Sequence, residues 1–152
     1  ENKTFTVVPL HMKSNYGGGT LNMLKRELEA KTLVSALEKA KEDGKLDPTL
    51  ILIGDTNVLK FDEPAIIALV SAGYIDLNNT DSPTYWSRAY GDSPFDRAFI
   101  APNRPEFRYT RQYVLRSADL VLHDQFLSDH YMIKMSIKLY LDDNDARGGV
   151  HQ

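Results

Sequence analysis

Polar groups interrupt otherwise apolar segments at four places: His11, the pair Asp55 and Asn57, Asp96, and the dipeptide Asp129-His130. Asp55 and Asn57 follow directly on the run Thr49-Leu-Ile-Leu-Ile53 and Gly54. A five-residue run of apolar β-formers is too short for a useful helix and reads as a buried strand. Residues i and i+2 leave a strand on the same side, so the carboxylate and the amide can face one small volume. Hard oxygen groups at the carboxyl end of a buried strand suit phosphate chemistry and a divalent cation, Mg²⁺ first, with Mn²⁺ and Ca²⁺ as alternatives. Asp129-His130 places a carboxylate beside an imidazole, and Asp96 is a second carboxylate that can hold the ring. Such a pairing orients the imidazole, raises its basicity and fixes its tautomer. Three acids gathered together need compensation, because buried like charges repel, and a divalent cation is the economical source.

Each group also has a plainer reading. Asp-Thr-Asn is a common turn, since Asp and Asn bond their own backbone. A lone His11 is more often structural than functional. Asp96-Arg97 reads as a local charge pair at a strand edge, worth little energetically. Ser128-Asp129-His130 reads as a turn before a strand.

The elements that must position these groups are legible in outline. Thr4-Phe-Thr-Val-Val8 reads as a strand running into Pro9-Leu10-His11. The glycine run at 17–19 breaks it, and a helix is expected over 21–42 with an apolar stripe of Leu24, Leu28, Ala30, Leu33, Leu37 and Ala40. After the strand over 49–53, Asp62 as N-cap, Pro64 in the first turn and the run 65–72 signal a second helix. Short strands are expected at 74–77, 95–100, 107–109 and 113–115. The alternation of Tyr131, Ile133, Met135, Ile137, Leu139 and Leu141 with Met132, Lys134, Ser136, Lys138 and Tyr140 marks a last strand over 131–141. The order β-α-β-α-β followed by strands fits one layered α/β (α+β) domain over 1–141, and the polar stretch 142–152 reads as a mobile tail.

Composition adds bounds. A chain of 152 residues can bury roughly 70% of its unfolded surface. The net charge of −3 argues against a broad basic footprint for nucleic acid, although Lys13, Lys25, Arg26, Arg88 and Arg97 are available to one. There is no cysteine, which excludes disulfides and thiolate metal sites. No apolar run approaches the ~20 residues needed to cross a bilayer. The chain opens on Glu1-Asn2-Lys3, with no signal-like apolar region, and the compartment stays open.

Val8-Pro-Leu-His11, Gly54-Asp-Thr-Asn57, Phe95-Asp-Arg-Ala-Phe99 and Ser128-Asp-His130-Tyr-Met-Ile133 occur in the order seen in the endonuclease/exonuclease/phosphatase superfamily. The chain thus resembles the family of deoxyribonuclease I, exonuclease III and neutral sphingomyelinases, and Ser82-Pro-Thr-Tyr-Trp86 resembles the family too. Met132 stands where proline is usual. The resemblance implies a Mg²⁺-dependent phosphodiester hydrolase acting on DNA, a lipid headgroup or a small phosphoester. It implies that His11 contacts the scissile phosphate, that Asp55 positions or activates water, and that Asn57 holds a phosphate oxygen. Asp129 would bind the metal, with Asp55 as a further metal ligand, and His130, oriented by Asp96, would serve in acid/base or phosphate-stabilising work. The general base is left open. Histidine at position 11 leans toward deoxyribonuclease-like or sphingomyelinase-like relatives.

The resemblance covers the carboxyl-terminal half of such a domain. Family members are two-sheet sandwiches whose first half supplies an Asn and a metal-binding Glu, and no residue here matches either by motif. The fold expected is therefore half of a deoxyribonuclease I-like β-sandwich: one mixed sheet with flanking helices and an uncovered face. A large uncovered apolar face needs a partner, either the amino-terminal half or a second copy. The competing reading is a non-catalytic fragment or interaction module that keeps the fold without a complete metal site.

Overall fold

A computed structural model describes residues 4–138. The expected end of the last strand beyond Lys138 and the tail at 142–152 lie outside the described residues. The chain forms β1 (Thr6–His11), α1 (Gly19–Glu42), β2 (Leu50–Asp55), α2 (Pro64–Ser71), β3 (Ile75–Asp76), β4 (Tyr85–Ser87), β5 (Gly91–Ser93) and β6 (Asp96–Ile100). A 3₁₀ turn at Pro105–Phe107, β7 (Gln112–Leu115), α3 (Leu120–Phe126) and β8 (Met132–Met135) complete it.

The central sheet has the order β1-β2-β6-β3 and is mixed, as expected. β1 and β2 run parallel, joined by the crossover helix α1, while β6 is antiparallel to both β2 and β3. The apolar run in β2 is the reason it lies inside: Leu50, Ile51 and Leu52 are all buried, so both faces of the sheet are covered at that level. Ala30 and Leu37 of α1 and Ala65, Ile66 and Leu69 of α2 share one core with Leu52, Phe99 and Ile100. Phe107, Met135 and Ile137 pack against the same core. The β7–β8 hairpin meets the edge of β6 through Gln112, whose side chain accepts from Ala98 N (2.8 Å) and donates to Asp96 O (3.0 Å). β3 is too short to reach that part of β6, and the Gln112 amide satisfies the backbone groups in its place.

Several local expectations change. Leu24 and Leu28 of the expected α1 stripe are exposed, and the inner face begins instead with buried Asn22 and Arg26. These two have partners that an apolar side chain lacks: Asn22 Nδ2 donates to Tyr16 O, and Arg26 to Lys13 O and Glu63. The N-cap of α2 is Glu63 rather than Asp62, because Pro64 occupies the first helical position. Residues 107–109 are not a strand; Pro105 starts a 3₁₀ turn there. The 74–77 strand shrinks to Ile75–Asp76. β4, β5 and α3 carry short polar-rich or apolar stretches that strand or helix periodicity did not mark.

Candidate active site

His11, Asp55 and Asp96 occupy one rung of the sheet: His11 pairs with Asp55, and Asp55 with Asp96. Residues on one rung project to the same face. His11 and Asp55 end β1 and β2, while Asp96 begins β6, so the rung lies at the carboxyl edge of the parallel pair. Gly54 makes that edge possible. Its φ is +148°, and a Cβ there would stand 2.1 Å from the Leu10 carbonyl oxygen, so any side chain would drive β1 and β2 apart.

His130 comes from outside the central sheet. It precedes β8 and is tied to β4 through a bridge to Tyr85, with Trp86 N donating to Asp129 O (2.8 Å) and Tyr131 N to Thr84 O (2.6 Å). Its ring enters between the two carboxylates. Nδ1 meets Asp96 Oδ2 at 2.8 Å, and Nε2 stands 3.9 Å from Asp55 Oδ2. The first contact is a charge-assisted hydrogen bond; the second is too long for one and leaves Nε2 available. Tyr85 meets the ring edge-on at 5.1 Å between centroids, and Phe95 lies tilted at 6.4 Å.

The hydrogen bond that His130 donates to Asp96 pushes the His130 pKa above its usual 6.5, against the opposing effect of partial burial, with the charges of Asp96, Asp55 and Asp129 adding attraction. Asp55 shifts upward from 3.8 chiefly because burial disfavours the carboxylate. Its hydrogen bond from Asn57 and the nearby His130 and His11 pull the other way, and Asp96 repels.

Asn57 is in the left-handed region (φ 54°), a conformation that Asn tolerates better than most residues. That geometry folds it back onto Asp55. Its backbone N–H donates to Asp55 Oδ1 (2.8 Å), and its amide donates to Asp55 Oδ2 (3.0 Å) and to Met12 O (3.1 Å). Both amide hydrogens are thus engaged within the protein, and Asn57 acts here as a clamp on Asp55. Asn15, which sequence reasoning missed, donates to Asn57 O (2.6 Å). Only its position beside the glycine run could have flagged it.

The Asp96-Arg97 pair is not local. Arg97 is fully buried on the interior strand β6 and pairs with Asp76 (2.7 Å) and Asp81, leaving Asp96 to His130. His11 is exposed at its rung, and Asp129 is exposed beside His130. Asp55 and Asp129 are hard oxygen donors and fit a divalent cation by type. Among the described residues no group of three His, Cys, Asp or Glu side chains converges on a metal position. Beside His130 opens a cavity of about 690 Å³, lined by Asn15, Asn57, Tyr85, Phe95 and residues of the surrounding loops.

No family model matches the sequence. No curated protein matches it either. Solved structures do. An endonuclease/exonuclease/phosphatase family protein from Bacteroides thetaiotaomicron superposes with a TM-score of 0.60 at 24% identity, over 90% of this chain and 51% of its own. A Staphylococcus aureus beta toxin gives 0.61 at 19% identity, over 87% and 52%. A mannosyl-6-phosphatase from Bacteroides thetaiotaomicron VPI-5482 gives 0.56 at 19% identity, over 88% and 51%. The chain has the fold of endonuclease/exonuclease/phosphatase proteins and spans about half the length of the solved structures it matches.

Proposed function

We propose that this chain forms the carboxyl-terminal half of a divalent-metal-dependent phosphoester hydrolase. The observation that carries the reading is the His130 ring, hydrogen-bonded to Asp96 and directed at Asp55 on the wall of an open cavity. Asp96 keeps a proton on Nδ1, so Nε2 is the atom that exchanges a proton with the substrate or balances charge on a phosphoryl oxygen. Asp55, held on both oxygens by Asn57, orients or deprotonates the attacking water. His11 stands at the outer end of the same rung, in position to meet a phosphate oxygen. Asp129 and Asp55 would hold Mg²⁺, which when bound supplies Lewis-acid polarisation of the phosphoryl group.

Hydrolysis of bis(p-nitrophenyl) phosphate tests the reading, in the full chain and in any longer polypeptide that carries it. Mg²⁺ should support turnover, EDTA should abolish it, and Asp129→Ala should raise the Mg²⁺ concentration needed. No turnover with Mg²⁺, Mn²⁺ or Ca²⁺ in either form would favour the non-catalytic module instead, which the incomplete set of ligands among the described residues supports.

The partner proposal has its own support. Tyr113, Leu115 and Met132 are exposed on one face of the β7–β8 hairpin, since Leu115 pairs with Met132 and Tyr113 with Lys134. We assign this face to the remaining half of the fold or to a second copy of the chain. Sedimentation velocity should show concentration-dependent association of the isolated chain. A monomer at all concentrations that retains full Mg²⁺-dependent activity would rule the assignment out.

A further inference from the structure

The lining of the cavity beside His130 bears on which group a bound phosphate would carry, an inference that rests on the hydrolase reading. Among the described residues no Lys, Arg, Asp or Glu lines it. Its walls are tyrosines, Phe95 and Leu59, with Asn15 and Ser93 as neutral polar contacts. A strand of nucleic acid is held chiefly by cations on its phosphates. Two of the arginines available for that task, Arg26 and Arg97, are buried in ion pairs with Glu63, Asp76 and Asp81.

Tyr16 and Tyr90 stand apart from the other wall residues. They are 88% and 82% exposed, so among the described residues nothing covers their rings. Their backbones are nevertheless anchored. Tyr16 N donates to Ser14 Oγ and Tyr16 O accepts from Asn22, while Tyr90 N donates to Ser87 Oγ. Anchored backbones carrying uncovered aromatic rings, in a cavity also lined by Tyr85 and Phe95, make a stacking site for a flat or ring-shaped apolar surface. Asn15 spends its amide on Asn57 O, which leaves its carbonyl oxygen to accept from a ring hydroxyl.

We propose that this cavity binds an uncharged ring esterified to the phosphate, stacked on Tyr16 and Tyr90 while His130 meets the phosphoryl oxygens. The shared chemistry is an uncharged ring, and an aryl and a sugar ring are its two sources.

Calorimetric titration of the full chain with phenylphosphonate, a hexose phosphonate and methylphosphonate tests this without requiring turnover. A ring-bearing phosphonate should bind about tenfold more tightly than methylphosphonate, and whichever of the two binds more tightly identifies the source. Tyr16→Ala and Tyr90→Ala should each reduce that preference by about fivefold, while Tyr90→Phe preserves it. Both tyrosines are exposed, so the variants should keep the parent unfolding midpoint. Equal affinity for methylphosphonate, or tighter binding of a duplex DNA fragment than of either ring compound, would overturn the proposal. Ring-selective binding with no turnover of any phosphoester would sink the hydrolase reading and leave the cavity assignment standing. Turnover without ring selectivity would do the reverse.

Discussion

Replacing His130 with alanine is expected to slow metal-dependent phosphoester cleavage by about 10²- to 10⁴-fold, the usual contribution of a positioned acid/base group. The half-exposed ring contributes modest packing, so the loss should appear in turnover and leave the unfolding midpoint nearly unchanged. Asp96→Asn separates the ring's presence from its tuning. The Asp96 hydrogen bond is the leading cause that raises the His130 pKa, so the asparagine variant should titrate lower, measured by NMR of the imidazole protons. The sign of the stability effect follows. A raised histidine pKa contributes stability that is complete below the unfolded value near 6.5 and is lost as pH rises through the folded value. Asp96→Asn should remove that dependence and shift the pH profile of turnover in the same direction. An unchanged His130 titration in Asp96→Asn would show that the 2.8 Å contact does not govern the ring.

Replacing Arg97 with methionine is expected to destabilise the fold by about 3–5 kcal/mol, measured by urea unfolding at neutral pH. Arg97 is fully buried and donates to Asp76, to Asp81 and to Asn78 O (2.9 Å). Asp76 is buried as well, and burial already raises its pKa despite the adjacent guanidinium. Without Arg97 its carboxylate would be an uncompensated charge in the core. The deficit should shrink in mild acid, as Asp76 protonates, and in the double variant Asp76→Asn with Arg97→Met. A loss below about 1 kcal/mol would mean that water or relaxation compensates the acid, contrary to a dry buried pair. Because Arg97 adjoins Asp96 on β6, a smaller loss of activity should accompany the loss of stability.

The strands that carry His11 and Asp55 were legible because each is a compact apolar run ending in a polar residue, and that of Asp96 because a polar residue opens a run closing on Ala98-Phe-Ile100. Short motifs in order carried the fold as well, and the superpositions agree with it. The second half of the chain was less legible. The 3₁₀ turn, β4, β5 and α3 are short, and β4 is tied to residues remote in sequence by the Tyr85 bridge to His130, so local periodicity is weak there. The same limit explains α1. An apolar-stripe rule places Leu24 and Leu28 inside, yet Asn22 and Arg26 are inside because the Tyr16 and Lys13 carbonyls and Glu63 await them.

By itself the sequence determined the residue types of the candidate site, their order, and their location at strand ends, because glycine, strand and turn preferences act over a few residues. Tertiary structure alone decided who partners whom. Asp96 could have served Arg97, its neighbour in sequence. Strand alternation points adjacent residues to opposite faces, so Arg97 turns to Asp76 and Asp81, and Asp96 turns to His130. It also decided that Asn57 clamps Asp55, since that contact depends on a left-handed backbone and on Met12 arriving alongside from β1.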